Sequence, residues 1–200
     1  MQGPRPFLIG GLWRQGETVA PVNNPYTGQR LAEVSTASSI DAEAAIQSAV
    51  DAAVEMAALP SHARYQALQK IAGGLYARRE EFARLMTAEA GKPIADATRE
   101  VSRAVQTFTI AAEEARRIPG EVIPLDWTPG TDSHLGILRR VPIGPVLGIT
   151  PFNFPLNLVA HKVAPALAAG NSILIKPAPQ TPLTALLLGE VVLEAGLPPG

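Results

Sequence analysis

Two short apolar runs in the last quarter of the sequence limit the fold more than anything else in it. Residues 146–150 (VLGIT) and 172–176 (SILIK) are uninterrupted by polar alternation, the pattern of strands covered on both faces. Between them, residues 157–169 read as a helix ended by Gly170-Asn171. After them, residues 182–195 read as a second helix, with Thr181 as N-cap, Pro182 in the first turn and Gly196 at the end. Strand, helix, strand and helix in that order build a right-handed crossover and a parallel pair. Two strands do not make a stable doubly wound sheet, so the sheet is expected to continue past residue 200.

Upstream the pattern is different. Residues 1–37 read as extended segments, with β-favouring Leu8-Ile9 and a run at 19–22, followed by a turn at Asn24-Pro25-Tyr26-Thr27-Gly28. Four helices are expected next. In the first, Ser39 stands as N-cap before Asp41 and Glu43, and Ile46, Val50 and Val54 form the inward stripe beside Ala42, Ala45, Ala49 and Ala53. Leu59-Pro60-Ser61 ends it and caps the second, whose buried face is Tyr65, Leu68, Ile71 and Leu75. The third starts near Glu80, turns Phe82, Leu85 and Met86 inward, and stops at Gly91-Lys92-Pro93. The fourth runs to about Arg117 on Val101, Val105, Phe108 and Ala112. Residues 121–145 then read as a β-hairpin or a pair of extended arms. The paired glycines Gly10-Gly11 and Gly73-Gly74 read as a turn and a close helix contact.

Composition removes several function classes. Of 200 residues, 46% are apolar and 18% charged, enough apolar surface for a real core. Lys plus Arg number 17 and Asp plus Glu 18, a net charge of −1, without the basic excess that nucleic acid or an anionic membrane would demand. No run approaches the roughly 20 apolar residues of a membrane span, and a cytoplasmic location is expected. With no cysteine, these residues hold no disulfide, no thiolate metal site and no cysteine nucleophile. With only three histidines and no clustered carboxylates, no metal site is expected.

In an open α/β sheet, ligands bind beyond the carboxyl ends of the strands. Thr150-Pro151-Phe152-Asn153-Phe154-Pro155 and Lys176-Pro177-Ala178-Pro179-Gln180 occupy that edge. The glycine-rich dinucleotide fingerprint is absent from the first turn, and a lysine stands where an acidic ribose ligand is usual. Lys176 fits either a modified nucleotide site, donating to ribose hydroxyls, or a solvated strand end. Asn153, fixed among prolines and aromatic rings, fits an oxyanion-hole donor or an asparagine completing a turn. Lys162 is either a solvated helix lysine or one turned toward the site.

Taken in order, three segments resemble the aldehyde dehydrogenase family. They are Gly144-Pro145-Val146-Leu147-Gly148-Ile149-Thr150-Pro151-Phe152-Asn153-Phe154-Pro155, then Ala164-Pro165-Ala166-Leu167-Ala168-Ala169-Gly170-Asn171, then Lys176-Pro177-Ala178-Pro179-Gln180-Thr181-Pro182. Ile9-Gly10-Gly11-Leu12-Trp13, Asn24-Pro25-Tyr26-Thr27-Gly28, Glu89-Ala90-Gly91-Lys92-Pro93 and Gly120-Glu121-Val122-Ile123-Pro124 extend the likeness nearly end to end. The resemblance implies an α/β fold: N-terminal helices and a β-arm leading into the start of a Rossmann-like parallel sheet, incomplete in these residues. On it, residues 1–120 hold the extended segments and the four-helix part of the cofactor-binding domain. Residues 121–145 form an oligomerisation arm, and residues 146–200 the first βαβα of the sheet.

The implied reaction is NAD- or NADP-dependent oxidation of an aldehyde to an acid through a cysteine thiohemiacetal. Asn153 matches the family's oxyanion donor, and Ile149, Thr150, Pro151, Phe152 and Asn153 the segment lining the nicotinamide and its ribose. Lys176 matches the lysine on the adenosine ribose, with Pro177, Ala178 and Pro179 completing that wall. Lys162 matches a lysine with a charge-relay role in some members. The family often has glutamate at the position of Pro179, where it favours NAD, so proline leaves NADP or dual use open. The partners implied are a small-molecule aldehyde and further copies of the chain, as homodimer or homotetramer. The nucleophilic cysteine, the general-base glutamate and the glycine-rich pyrophosphate turn are expected after residue 200. The alternative is a non-catalytic nucleotide-binding or oligomerisation module, should the natural chain end there. A relative that reduces activated acyl groups by the reverse chemistry would need a cysteine too.

Overall fold

The computed structural model describes residues 3–200. Two antiparallel hairpins open the chain. In the first, β1 (Phe7–Ile9) pairs with β2 (Leu12–Arg14) around Gly10-Gly11; in the second, β3 (Thr18–Asn23) pairs with β4 (Arg30–Thr36). Asn24 turns the second hairpin, its side-chain oxygen accepting from the amides of Tyr26 and Thr27 at 2.9 and 3.1 Å. Four helices follow: α1 (Ser39–Ala58), α2 (Ser61–Ala77), α3 (Arg79–Ala90) and α4 (Ile94–Ala115). A third hairpin, β5 (Glu121–Pro124) with β6 (Leu135–Leu138), leads to β7 (Val146–Ile149), α5 (Asn157–Ala169), β8 (Ile173–Lys176) and α6 (Pro182–Glu194).

The main core lies between the helices rather than against the sheet. Leu68, Ile71 and Leu75 of α2, Phe82 and Met86 of α3, and Val101 and Phe108 of α4 are buried with Leu156, Val163, Leu188 and Val191 from the α5 and α6 region. These are the stripes that the 3.6-residue period marks on α2, α3 and α4. No helix among the described residues is long and apolar enough to cross a membrane.

The first helix departs from its expected arrangement. Ile46, Val50 and Val54 are 49%, 45% and 76% exposed, whereas Ala45, Ala49, Ala52 and Met56 are buried. The small face goes inward because α1 lies close against the chain entering β8, where the Ser172 hydroxyl donates to the Ala49 carbonyl at 2.5 Å. Branched side chains on that face would hold the two backbones apart. Its N-cap is Ser38 rather than Ser39. The Ser38 hydroxyl accepts from the Asp41 amide and the Asp41 carboxylate accepts from the Ser38 amide, a reciprocal capping box. These bonds hold the Asp41 carboxyl below its ordinary pKa. At the next junction Pro60 takes the N-cap position of α2, and no side chain caps that helix.

The pair β7–β8 is parallel, with Val146 opposite Ile173 and Ile149 opposite Lys176. Within residues 3–200, helices cover one face of β7. Gly148 packs under α5, while Leu147 and Ile149, pointing the other way, are each 60% exposed. A pleated strand with helices on a single side leaves its alternate residues open.

Candidate functional site

The parallel register brings the two sequence-predicted segments to one edge. Ile149 and Lys176 are neighbours at the carboxyl ends of their strands, and the Thr150 amide extends the ladder by donating to the Lys176 carbonyl at 3.2 Å. Residues 150–155 therefore leave the sheet beside residues 176–180. Thr150 and Ala178 are buried, Pro177 is half-buried, and Pro151, Phe152, Asn153, Lys176 and Pro179 are exposed. Ile149 and Phe152 thus present apolar surface next to the Asn153 side chain.

Among the described residues the Lys176 ammonium reaches only the carbonyl of its own neighbour Pro177, at 3.4 Å, a long contact that leaves its donors available. Lys162 lies on α5 with its stem against β7. A Cβ on Gly148 would come within 3.1 Å of Lys162 Cδ and 2.6 Å of Ile175 Cδ1, so glycine is what lets the helix settle on the strand. The Lys162 ammonium donates back to the Leu158 carbonyl at 3.4 Å. The structure thus joins the loops of Asn153 and Lys176, and sets Lys162 beneath β7, bonded within its own helix.

Two carboxylates hold this edge in place, and neither was singled out from the sequence as a site residue. Glu100 is 2% exposed on the inner face of α4. One of its oxygens accepts from the amides of Leu156 and Asn157 at 3.0 Å each, capping α5 from another element. Its other oxygen takes a short hydrogen bond from Lys92 Nζ. Lys92 also donates to the Asn153 carbonyl at 3.1 Å and stands 4.1 Å from the Phe154 ring centroid. Gly91, in the left-handed region at φ 66°, ends α3 and starts the corner that delivers Lys92.

Glu89, 3% exposed, caps α6 in the same way. It accepts from the Leu183 and Thr184 amides at 2.9 Å each and from the Thr184 hydroxyl. Burial pushes its carboxyl above the ordinary value, against the pull of those hydrogen bonds. Thr181, expected to cap α6, does not, and its hydroxyl is buried without a partner. The signal for both carboxylates was in the pattern: Glu89 follows Phe82 and Met86, and Glu100 follows Ala97, at helical spacing on an otherwise apolar stripe. A charge there must meet donors inside the protein.

Two parallel strands, each followed by a helix, are the opening of an α/β sheet, the architecture in which ligands bind beyond the carboxyl ends of the strands. Residues 13–200 match the aldehyde dehydrogenase family, and the chain belongs to it. The chain is 45% identical over 194 residues to a 3-sulfolactaldehyde dehydrogenase of Priestia aryabhattai, covering 97% of this chain and 40% of that protein. It superposes with a TM-score of 0.94 and 45% identity on aldehyde dehydrogenase 21 of Physcomitrella patens in complex with the reaction product succinate, covering 98% of this chain and 41% of the other. NADP-dependent glyceraldehyde-3-phosphate dehydrogenase of Bacillus halodurans, complexed with NADP, gives a TM-score of 0.94 at 34% identity, with coverages of 99% and 42%. The chain spans about two fifths of the length of these relatives.

Proposed function

We propose that the protein carrying these residues is an NAD- or NADP-dependent aldehyde dehydrogenase, oxidising an aldehyde to a carboxylic acid through a thiohemiacetal on a cysteine outside residues 1–200. The observation that carries this reading is the shared edge: the Asn153 loop and the Lys176 loop leave adjacent strands side by side, joined from Thr150 to Lys176.

The residues at that edge fit a nicotinamide dinucleotide. Lys176 has an exposed ammonium with donors to spare, suited to ribose hydroxyls and tolerant of a 2′-phosphate. Pro177, Ala178 and Pro179 form a stiff, small-residue wall behind it, and Ile149 to Phe152 offer apolar surface for a nicotinamide ring. When bound, the cofactor supplies the hydride acceptor. Asn153 donates its side-chain amide to the substrate oxygen as negative charge develops there, which lowers the barrier only if the amide is fixed beforehand. Lys176 binds and orients, and Gly148 permits the close approach of Lys162 under the strand.

The β5–β6 hairpin is proposed as the arm that pairs copies of the chain into a homodimer or homotetramer. Val122, Trp127, Ile137, Val141 and Ile143 are all exposed along it and its exit, a concentration of apolar surface that an unpartnered hairpin would not favour.

The test is Asn153→Ala in the full-length protein. Loss of one oxyanion donor should lower kcat about a hundredfold or more, with cofactor affinity little changed. A variant turning over at the wild-type rate would remove Asn153 from the mechanism.

A further inference from the structure

We propose that Lys92 and Glu100 are positioning residues for Asn153, fixing the loop on which the oxyanion donor stands; this rests on the function proposed above. Four contacts fasten residues 153–157 to this one pair. Glu100 takes the Leu156 and Asn157 amides, and Lys92 takes the Asn153 carbonyl and faces the Phe154 ring. The two are joined by their own short hydrogen bond. Helix α5 has Leu156 at its N-cap position and no side-chain cap of its own, so the amides that Glu100 accepts have no local substitute.

The geometry dictates what the pair does. The Asn153 carbonyl belongs to the peptide linking Asn153 to Phe154, so Lys92 sets the plane of that peptide and with it the direction in which the Asn153 side chain leaves the backbone. Glu100 fixes the chain three residues further on. The segment 153–157 is thereby pinned at both ends, by Lys92 from the corner between α3 and α4 and by Glu100 from the inner face of α4. A donor built into an oxyanion site must be in place before charge develops, and a displacement of about 1 Å can cost a hundredfold in rate. Because Lys92 and Glu100 neutralise one another, the pair adds rigidity to the edge without adding net charge to it.

The experiment is a mutant cycle in the full-length protein, reading kcat and the KM for cofactor and aldehyde. Lys92→Met should lower kcat at least about tenfold while leaving cofactor KM within about threefold, since the Lys176 wall is untouched. Combined with Asn153→Ala, it should cost no more than about a further threefold, because a positioning residue has nothing left to position. Lys92→Arg, which keeps the cation, should recover part of the lost rate. Lys92→Met strands a buried carboxylate, so Lys92→Met with Glu100→Gln serves as the second variant; it removes both charges together and should show the same fall in kcat. A Lys92→Met enzyme at the wild-type rate beside a slow Asn153→Ala enzyme overturns this inference alone, as does a fully additive loss in the combination with Asn153→Ala. A wild-type protein that oxidises no aldehyde, or an Asn153→Ala enzyme at full rate, overturns the proposed function and this inference with it.

Discussion

Alanine should move stability in opposite directions at two adjacent glycines of α2. Gly73 is exposed, and a Cβ there would meet nothing within 4 Å. Replacing it removes freedom from the unfolded chain and improves helix propensity, a gain of about 0.5–1 kcal/mol. At Gly74 a Cβ would stand 2.7 Å from Val191 Cγ1, with Val191 Cβ at 3.8 Å and Cγ2 at 3.9 Å. Val191 is buried on α6, and a valine in a helix has essentially one χ1 rotamer, so it cannot swing aside. Relief requires the two helices to separate. Overpacking of that kind costs about 1–3 kcal/mol, set against a propensity gain of roughly 1 kcal/mol, for a net loss of up to about 2 kcal/mol. Each kcal/mol moves Tm by about 2–4 °C in a unit of about 200 residues and by less in a longer one, so in the intact protein Gly73→Ala should raise Tm by less than about 4 °C and Gly74→Ala lower it by less than about 8 °C. Thermal melts of the intact protein decide it. On a Val191→Ala background the penalty at Gly74 should vanish, because the opposing methyl is gone. If Gly74→Ala melts at or above Gly73→Ala, the α2–α6 approach described here is wrong.

Two further outcomes follow from the same contacts. Glu89 has its carboxyl raised by burial in the folded protein, so the folded state holds its proton more tightly than the unfolded chain does. The stability this lends is fully present below the ordinary value of 4.5 and is lost as pH rises from there through the raised folded value. The Tm advantage of wild type over Glu89→Gln should therefore narrow from pH 4.5 toward neutrality; a gap that widens with pH would reverse the sign. Lys176→Ala should raise the cofactor Kd about tenfold or more, the loss of charged hydrogen bonds worth about 1.5–3 kcal/mol, with kcat within a few-fold. A fall in kcat at unchanged cofactor affinity would contradict its assignment to the ribose.

The sequence marked most of the elements because most of them bury a periodic stripe. Phe82 and Met86, Val101 and Phe108, and Leu68, Ile71 and Leu75 lie inward as their spacing demands. The first helix broke the rule because hydrophobicity ranks Ile46 and Val50 above Ala45 and Ala49, while the packing there is decided by how closely two backbones can approach. Periodicity carries no information about that distance. The site was legible as two loops at one sheet edge, since parallel strands must place their carboxyl ends together. What fastens those loops was not, because Glu100 and Leu156 are 56 residues apart and only the folded chain brings them within 3.0 Å.

That separation bears on how the two parts of the chain depend on one another. Both helices that follow a strand of the parallel pair begin without a side-chain cap of their own, and each instead takes a buried carboxylate from the helices upstream: Glu100 for α5 and Glu89 for α6. A buried helix N-terminus leaves amide donors that must be satisfied, and a carboxylate is the acceptor best matched to the positive end of the helix dipole. With a local serine or aspartate cap on each helix, only the shared apolar core would orient the α/β unit on the bundle. With the caps supplied across the layers, the starts of α5 and α6, and so the loops leading into them from β7 and β8, are fixed in the frame of α3 and α4. The helical bundle is in this sense part of the edge proposed to bind cofactor and substrate: it sets where Asn153 and Lys176 stand although it contributes neither.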